Sequence, residues 1–221
     1  MSNQVLNATP FEYSISYFNT TFEDILTGIV IVYSCIIASN TAVPLNDENV
    51  IRDIFLSKED YLKNWEFRKK YPPLENYQFD KETVENKGRA DIRVLQVNPY
   101  KGDDAYYVIE CKRLDGKNKL NKEYISNGIA RFCTEQKYPF YSNTAGMIGF
   151  VVSKMNIQEN VDCINKLLQN ASEINTEKEL TNRQITPNFG CSYYSNHKVE
   201  KSTKIIYHLM FDFSNSTAID S

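Results

Sequence analysis

The chain has 221 residues with 25 Lys and Arg against 28 Asp and Glu, a formal charge of -3. That length suits one domain, or one domain with appended segments, and buries a substantial core. The acidic balance excludes a blanket electrostatic attraction to nucleic acid, while leaving room for a local basic groove. Five cysteines without close pairing, Cys35, Cys111, Cys133, Cys163 and Cys191, read as reduced thiols of a cytoplasmic protein. The only histidines are His197 and His208, and with no CxxC a zinc site is not expected.

The opening MSNQVLNATP lacks the basic start and apolar run of a signal peptide. Residues 1–19 are polar and aromatic without a clear period and read as a loosely docked arm. Thr20 with Glu23 forms a capping box for a helix from about Thr21 to Ser39. Its apolar stretch, Ile25 to Ala38, is too short for a membrane span and reads as a buried helix; no membrane partner is expected. Apolar residues cover so much of its circumference that it belongs in a core, and a homodimer interface is the alternative.

Asn46-Asp47-Glu48 opens a second helix carrying Val50, Ile51, Ile54 and Phe55. For Glu48 the plain reading is a first-turn acid suited to the helix dipole. Residues 58–70 read as a mixed-charge helix anchored by Tyr61, Leu62, Trp65 and Phe67, ending in Arg68-Lys69-Lys70 and stopped at Tyr71-Pro72-Pro73. Tyr77 to Val84 reads as a strand.

The stretch 88–114 organises the chain. From Gly88 to Val97, Ala90, Ile92 and Val94 alternate with Arg89, Asp91 and Arg93; from Tyr106 to Leu114, Tyr107, Ile109 and Cys111 alternate with Glu110 and Lys112. Between them NPYKGDD favours a turn, which makes a β-hairpin. A register opposing Asp91 to Glu110 pairs Arg89 with Lys112 and Arg93 with Val108. Two carboxylates then stand side by side on a polar face, next to an ammonium, and require a compensating cation. A hard ion such as Mg²⁺ accepts one or two carboxylates, waters and phosphate oxygens. The plain alternative is two exposed acids and a lysine on a solvated strand face.

Beyond the hairpin, Asp115 to Lys122 is a lysine-rich turn. A helix follows from about Asn121 to Gln136, with Ile125, Gly128, Ile129, Phe132 and Cys133 inward and Lys122, Asn127 and Arg131 outward. Pro139 breaks the connection. Gly146 to Ser153 is apolar enough for a central strand buried on both faces. A helix spans about Ile157 to Gln169, residues 171–203 read as an extended polar loop, Lys204 to Phe213 as a late strand, and the last residues as a frayed tail. Within that strand His208 reads as a structural histidine. No G-x-S-x-G elbow, P-loop or dinucleotide fingerprint is present.

Asp91 on one strand and Glu110-Cys111-Lys112 on the next, followed by a helix and a strand, resemble the PD-(D/E)xK nucleases of restriction-endonuclease-like fold. The family usually has Pro before the Asp, where this chain has Ala90. The resemblance covers roughly residues 46–153, with a helical extension over 1–45 and a strand-containing one over 171–221, all within a single nuclease-like domain. It implies an α/β fold with a central mixed sheet flanked by helices. It also implies a Mg²⁺-dependent endonuclease that cleaves DNA, with Mn²⁺ able to substitute. Asp91 and Glu110 would bind the metal with the Cys111 carbonyl, and Lys112 would handle the attacking water. A preceding helix commonly adds an acid, for which Glu48 is the candidate and Glu23 the reserve. A Lys beside a divalent ion is expected to have a depressed pKa. Arg113, Lys117, Lys119, Lys122 and Arg131 would track the nucleic-acid backbone. RNA remains open as a substrate. A prokaryotic defence or repair role, with partner proteins, is what the family suggests. The rival reading is a silent binding or interaction subunit that keeps the fold.

Overall fold

In the computed structural model, which describes residues 9–85, 88–96, 106–135 and 143–216, a seven-stranded sheet runs in the order β1-β2-β3-β4-β7-β6-β5. The strands are β1 (Tyr77–Glu85), β2 (Gly88–Gln96), β3 (Tyr106–Leu114), β4 (Thr144–Val151), β5 (Thr176–Asn182), β6 (Ser192–Val199) and β7 (Ser202–Asp212). β3, β4 and β7 are mutually parallel neighbours, and the flanking pairs are antiparallel. This is the α/β class with a mixed sheet and flanking helices. Every residue of β4 is buried, as its unbroken apolar run requires.

The sheet separates two apolar cores. One holds Ile92, Val94, Tyr107, Ile109 and Cys111 beneath helices α1 (Thr9–Ala38) and α2 (Glu48–Phe55). The other holds Tyr106, Val108 and Leu114 beneath α5 (Asn118–Tyr124), α6 (Ala130–Cys133) and α7 (Ile157–Gln169). The face carrying Glu110 and Lys112 is therefore not the solvated polar side that alternation suggested. Glu110 is fully buried and Lys112 is 9% exposed.

α1 is 30 residues long and starts at Thr9, so Thr20 and Glu23 lie inside it rather than in a capping box. Its Thr20–Ala38 part is long and apolar enough to cross a membrane by composition, contrary to the expectation from length. Yet Phe22, Ile25, Leu26, Ile29, Val32 and Ile36 are all buried against the sheet. Each such side chain contributes about 2 kcal/mol of burial. Gly28 permits close docking, because a Cβ there would stand 2.2 Å from the Leu74 side chain on α4 (Pro72–Glu75).

Four further expectations change. Residues 58–70 form only the short helix α3 (Trp65–Lys69), because the Asn64 side chain accepts from the Phe67 N–H and starts a new turn. Trp65, read as an anchor, is 48% exposed. Pro72 and Pro73 open α4 instead of merely ending a helix, since proline suits a first turn. Residues 171–203, read as loop, carry β5 and β6, and with β7 they continue the sheet beyond β4. The NPYKGDD turn and most of the C-terminal tail lie outside the described residues.

Candidate active site

The β2–β3 register follows the hairpin reading, with Arg93 opposite Val108 and Ile92 opposite Ile109. Asp91 comes next, where the paired ladder has ended. Its carboxylate takes a backbone partner instead: Oδ2 accepts the Cys111 N–H at 2.8 Å. The side chain thus replaces a ladder bond at the point where two strands separate.

α2 approaches the same point from the other side. Asp47 caps it by accepting from the N–H groups of Asn49 and Val50, which fixes Glu48 at its first turn. Glu48 Oε2 accepts the Arg113 N–H at 3.0 Å, and Oε1 accepts from Lys112 Nζ at 3.0 Å. One turn further, Arg52 faces the same way. Its guanidinium is 1% exposed and donates to Asp91 Oδ1 at 3.2 Å. It also grips Asp53 at 2.9 Å, and Asp53 is paired on its outer side with Lys81 of β1.

Lys112 Nζ is the focus. Glu48, Asp91 and Glu110 oxygens stand 3.0, 3.7 and 3.8 Å from it, and it donates to the Cys111 carbonyl at 2.5 Å. Three acids from three separate elements surround one ammonium. Burial pulls the Lys112 pKa down, but Asp91, Glu48 and Glu110 together push it further up, so the net direction is upward. Among these acids the side chain is held as an ammonium; the lowering expected beside a divalent ion belongs to the metal-loaded site.

On the other flank Arg131 Nη1 donates to Glu110 Oε2 at 2.7 Å. The helix after β3 that leads to it is not continuous. α5 gives way to a π-helical turn, Ile125–Ile129, before α6. The wider turn shifts the residues that follow relative to an α-helix, and such turns recur at functional sites. Gly128 within it lies over the site: a Cβ there would meet the Met147 methyl at 2.4 Å and Lys112 Cγ at 3.6 Å.

The structure brings Asp91, Glu110, Lys112, Glu48 and the Cys111 carbonyl together. Glu23 lies elsewhere, bound by Arg183 and Tyr207. The Cys111 thiol points into the opposite core, and burial pushes its pKa well up. The proposed backbone-tracking residues divide into two groups. Lys117, Lys119 and Lys122 are exposed, whereas Arg113 donates to the Leu45 carbonyl and Arg131 is turned onto Glu110. Arg52 was missed from the sequence, although its spacing of four from Glu48 on one helix was there to be read.

Among the described residues no three His, Cys, Asp or Glu side chains form a ready-made metal cage. The donor chemistry nevertheless fits a hard divalent cation: carboxylates and a carbonyl, with thiol and imidazole groups directed elsewhere. Glu48, Asp91 and Glu110 against Lys112 leave two negative charges, which Arg52 and Arg131 offset.

Elsewhere in the second core, both histidines enter one buried chain. Thr176 Oγ1 meets His197 Nδ1, His197 Nε2 meets Ser195 Oγ, Ser195 Oγ meets His208 Nε2, and His208 Nδ1 meets the Tyr124 hydroxyl. Burial lowers His197 to about 4 and His208 well below its ordinary value, so both are neutral and structural. No family model, curated protein or solved structure matches the chain, so its own geometry carries the functional reading.

Proposed function

We propose that the chain is a metal-dependent nuclease of the PD-(D/E)xK type, with a restriction-endonuclease-like fold, that hydrolyses DNA phosphodiester bonds. The observation that carries this reading is the convergence of Asp91, Glu110 and Glu48 on Lys112 within hydrogen-bonding or ion-pairing distance. A purely structural lysine pair needs one partner. Here three acids from α2, β2 and β3 converge on one ammonium, a concentration of buried charge that a packing role does not require.

Asp91 and Glu110, with Glu48 and the Cys111 carbonyl, are the groups that would hold Mg²⁺ or Mn²⁺. When bound, the ion supplies a Lewis acid for the phosphate and a more acidic water. Lys112 orients the attacking water and offsets charge on the phosphate. The Cys111 N–H and Arg52 hold the Asp91 carboxylate from opposite oxygens. Arg131 is partly exposed beside the buried Glu110, where a guanidinium suits a phosphate oxygen. The exposed Lys117, Lys119 and Lys122 extend a basic track away from the site. A defence or repair role in the cytoplasm, with partner proteins, rests on the family resemblance alone.

One observation favours a second reading, a nuclease-like subunit that binds without cutting. Each acid already has a cationic partner, so the site is charge-balanced as it stands. Incubating the purified chain with plasmid DNA, linear DNA and RNA in Mg²⁺, Mn²⁺ or EDTA separates the two. Divalent-dependent DNA cleavage that Asp91→Ala abolishes is expected. Tight binding without cleavage in either metal would select the subunit reading.

A further inference from the structure

We infer that Arg52 is a positioning residue for Asp91, an inference that rests on the nuclease reading above. A guanidinium that is 1% exposed is costly unless paired on more than one side. α2 offers an alternative: its neighbours Ile51 and Phe55 fill the core, and an apolar residue at position 52 would join them without that cost. Instead the fork is split. Nε and Nη2 hold Asp53 at 3.0 and 2.9 Å, and Nη1 reaches Asp91 at 3.2 Å.

The Asp53 link alone would suffice to dock a surface arginine. The Asp91 link fixes the carboxylate that β2 presents where its pairing with β3 ends. Arg52 takes one oxygen and the Cys111 N–H takes the other, so the plane of the carboxylate is set between α2 and β3. Because Glu48 lies one turn earlier on the same face, α2 orients two acids at once: Glu48 directly and Asp91 through Arg52. Asp53, pinned by Lys81, keeps the guanidinium from swinging outward. A lysine at position 52 preserves charge but not the planar fork, and cannot hold both acids in this geometry.

The test compares the parent chain with Arg52→Lys and Asp53→Asn. Mn²⁺ affinity is measured by calorimetry, single-turnover cleavage at saturating Mn²⁺, DNA affinity in EDTA, and the thermal midpoint for each. Arg52→Lys is expected to weaken Mn²⁺ binding and slow cleavage, each about tenfold, with DNA affinity within about twofold of the parent. Asp53→Asn should move the same two readouts about threefold with a small fall in the midpoint, because the fork keeps an amide acceptor but loses its outer charge. Arg52→Lys that is folded yet binds Mn²⁺ and cleaves like the parent would overturn the inference. If Arg52→Lys does not fold, Asp53→Asn decides alone: unchanged Mn²⁺ affinity overturns it. A parent chain that neither binds Mn²⁺ nor cleaves refutes the nuclease reading itself, whereas a working parent matched by both variants refutes only the role of Arg52.

Discussion

The Lys112 ammonium donates to the Glu48 carboxylate at 3.0 Å, joining the first turn of α2 to β3 across 64 positions of sequence. Of the three acids around Lys112 it is the nearest. Glu48→Gln keeps an oxygen for the Arg113 N–H but removes the charge that holds Lys112. Cleavage is expected to slow about tenfold, and stability to fall by about 1 kcal/mol. Rates and urea midpoints of parent and variant check both, and parent-like cleavage would remove Glu48 from the site.

Glu110 has a sharper structural consequence. Its side chain is fully buried between Lys112 and Arg131. Glu110→Ala leaves those cations without their inner partner and should cost about 3 kcal/mol. Glu110→Gln, which still accepts a hydrogen bond, should cost less while abolishing cleavage. Urea unfolding distinguishes them; equal stability of parent and Glu110→Ala would contradict the burial on which the site is built.

The legibility of this site was uneven, for physical reasons. Asp91, Glu110 and Lys112 stood out because strand alternation is strict and charges interrupt an apolar run there. Glu48 was placed in the right helix, but its plain reading as a dipole-complementing acid concealed a partner 64 residues away. Arg52 was missed because its spacing of four from Glu48 reads as an exposed helix-face pair, and nothing in the pattern marks the arginine as buried. The π-turn at Ile125–Ile129 was invisible because inward residues keep helical spacing through it. β6 was read as loop because its inward residues include Ser195 and His197, which satisfy one another rather than present an apolar face. β5 is a polar edge strand with Leu180 as its only buried residue, as edges commonly are.

The two buried histidines make stability depend on pH. Both are neutral in the folded chain, with folded pKa values below the ordinary 6.5. The unfolded chain therefore binds more protons on the acid side, and stability rises with pH there. It is complete above pH 6.5 and declines as pH falls towards 4, by about 3 kcal/mol for His197. His197→Gln, which cannot titrate, should flatten this dependence in urea unfolding between pH 7 and 5. An unchanged slope would show that His197 does not govern it.

Lys117, Lys119 and Lys122 are the exposed part of the proposed track. Reversing all three to Glu should weaken DNA binding and flatten the log–log salt dependence by up to about 3, as three phosphate contacts vanish. Fluorescence anisotropy at several salt concentrations reads this. An equal effect from reversing the exposed Lys58, Lys70 and Lys201 would show that overall charge, not this track, sets affinity.

The most direct test of the central claim is single-turnover DNA cleavage by Lys112→Ala, with Mn²⁺ binding measured on the same preparation. Lys112 is proposed to act on the water and phosphate while the acids and the Cys111 carbonyl hold the metal. The account predicts Mn²⁺ affinity within about threefold of the parent and cleavage slowed at least 100-fold, on the order of what a positioned charge-stabilising donor contributes. A Lys112→Ala chain that cuts DNA as fast as the parent would contradict it.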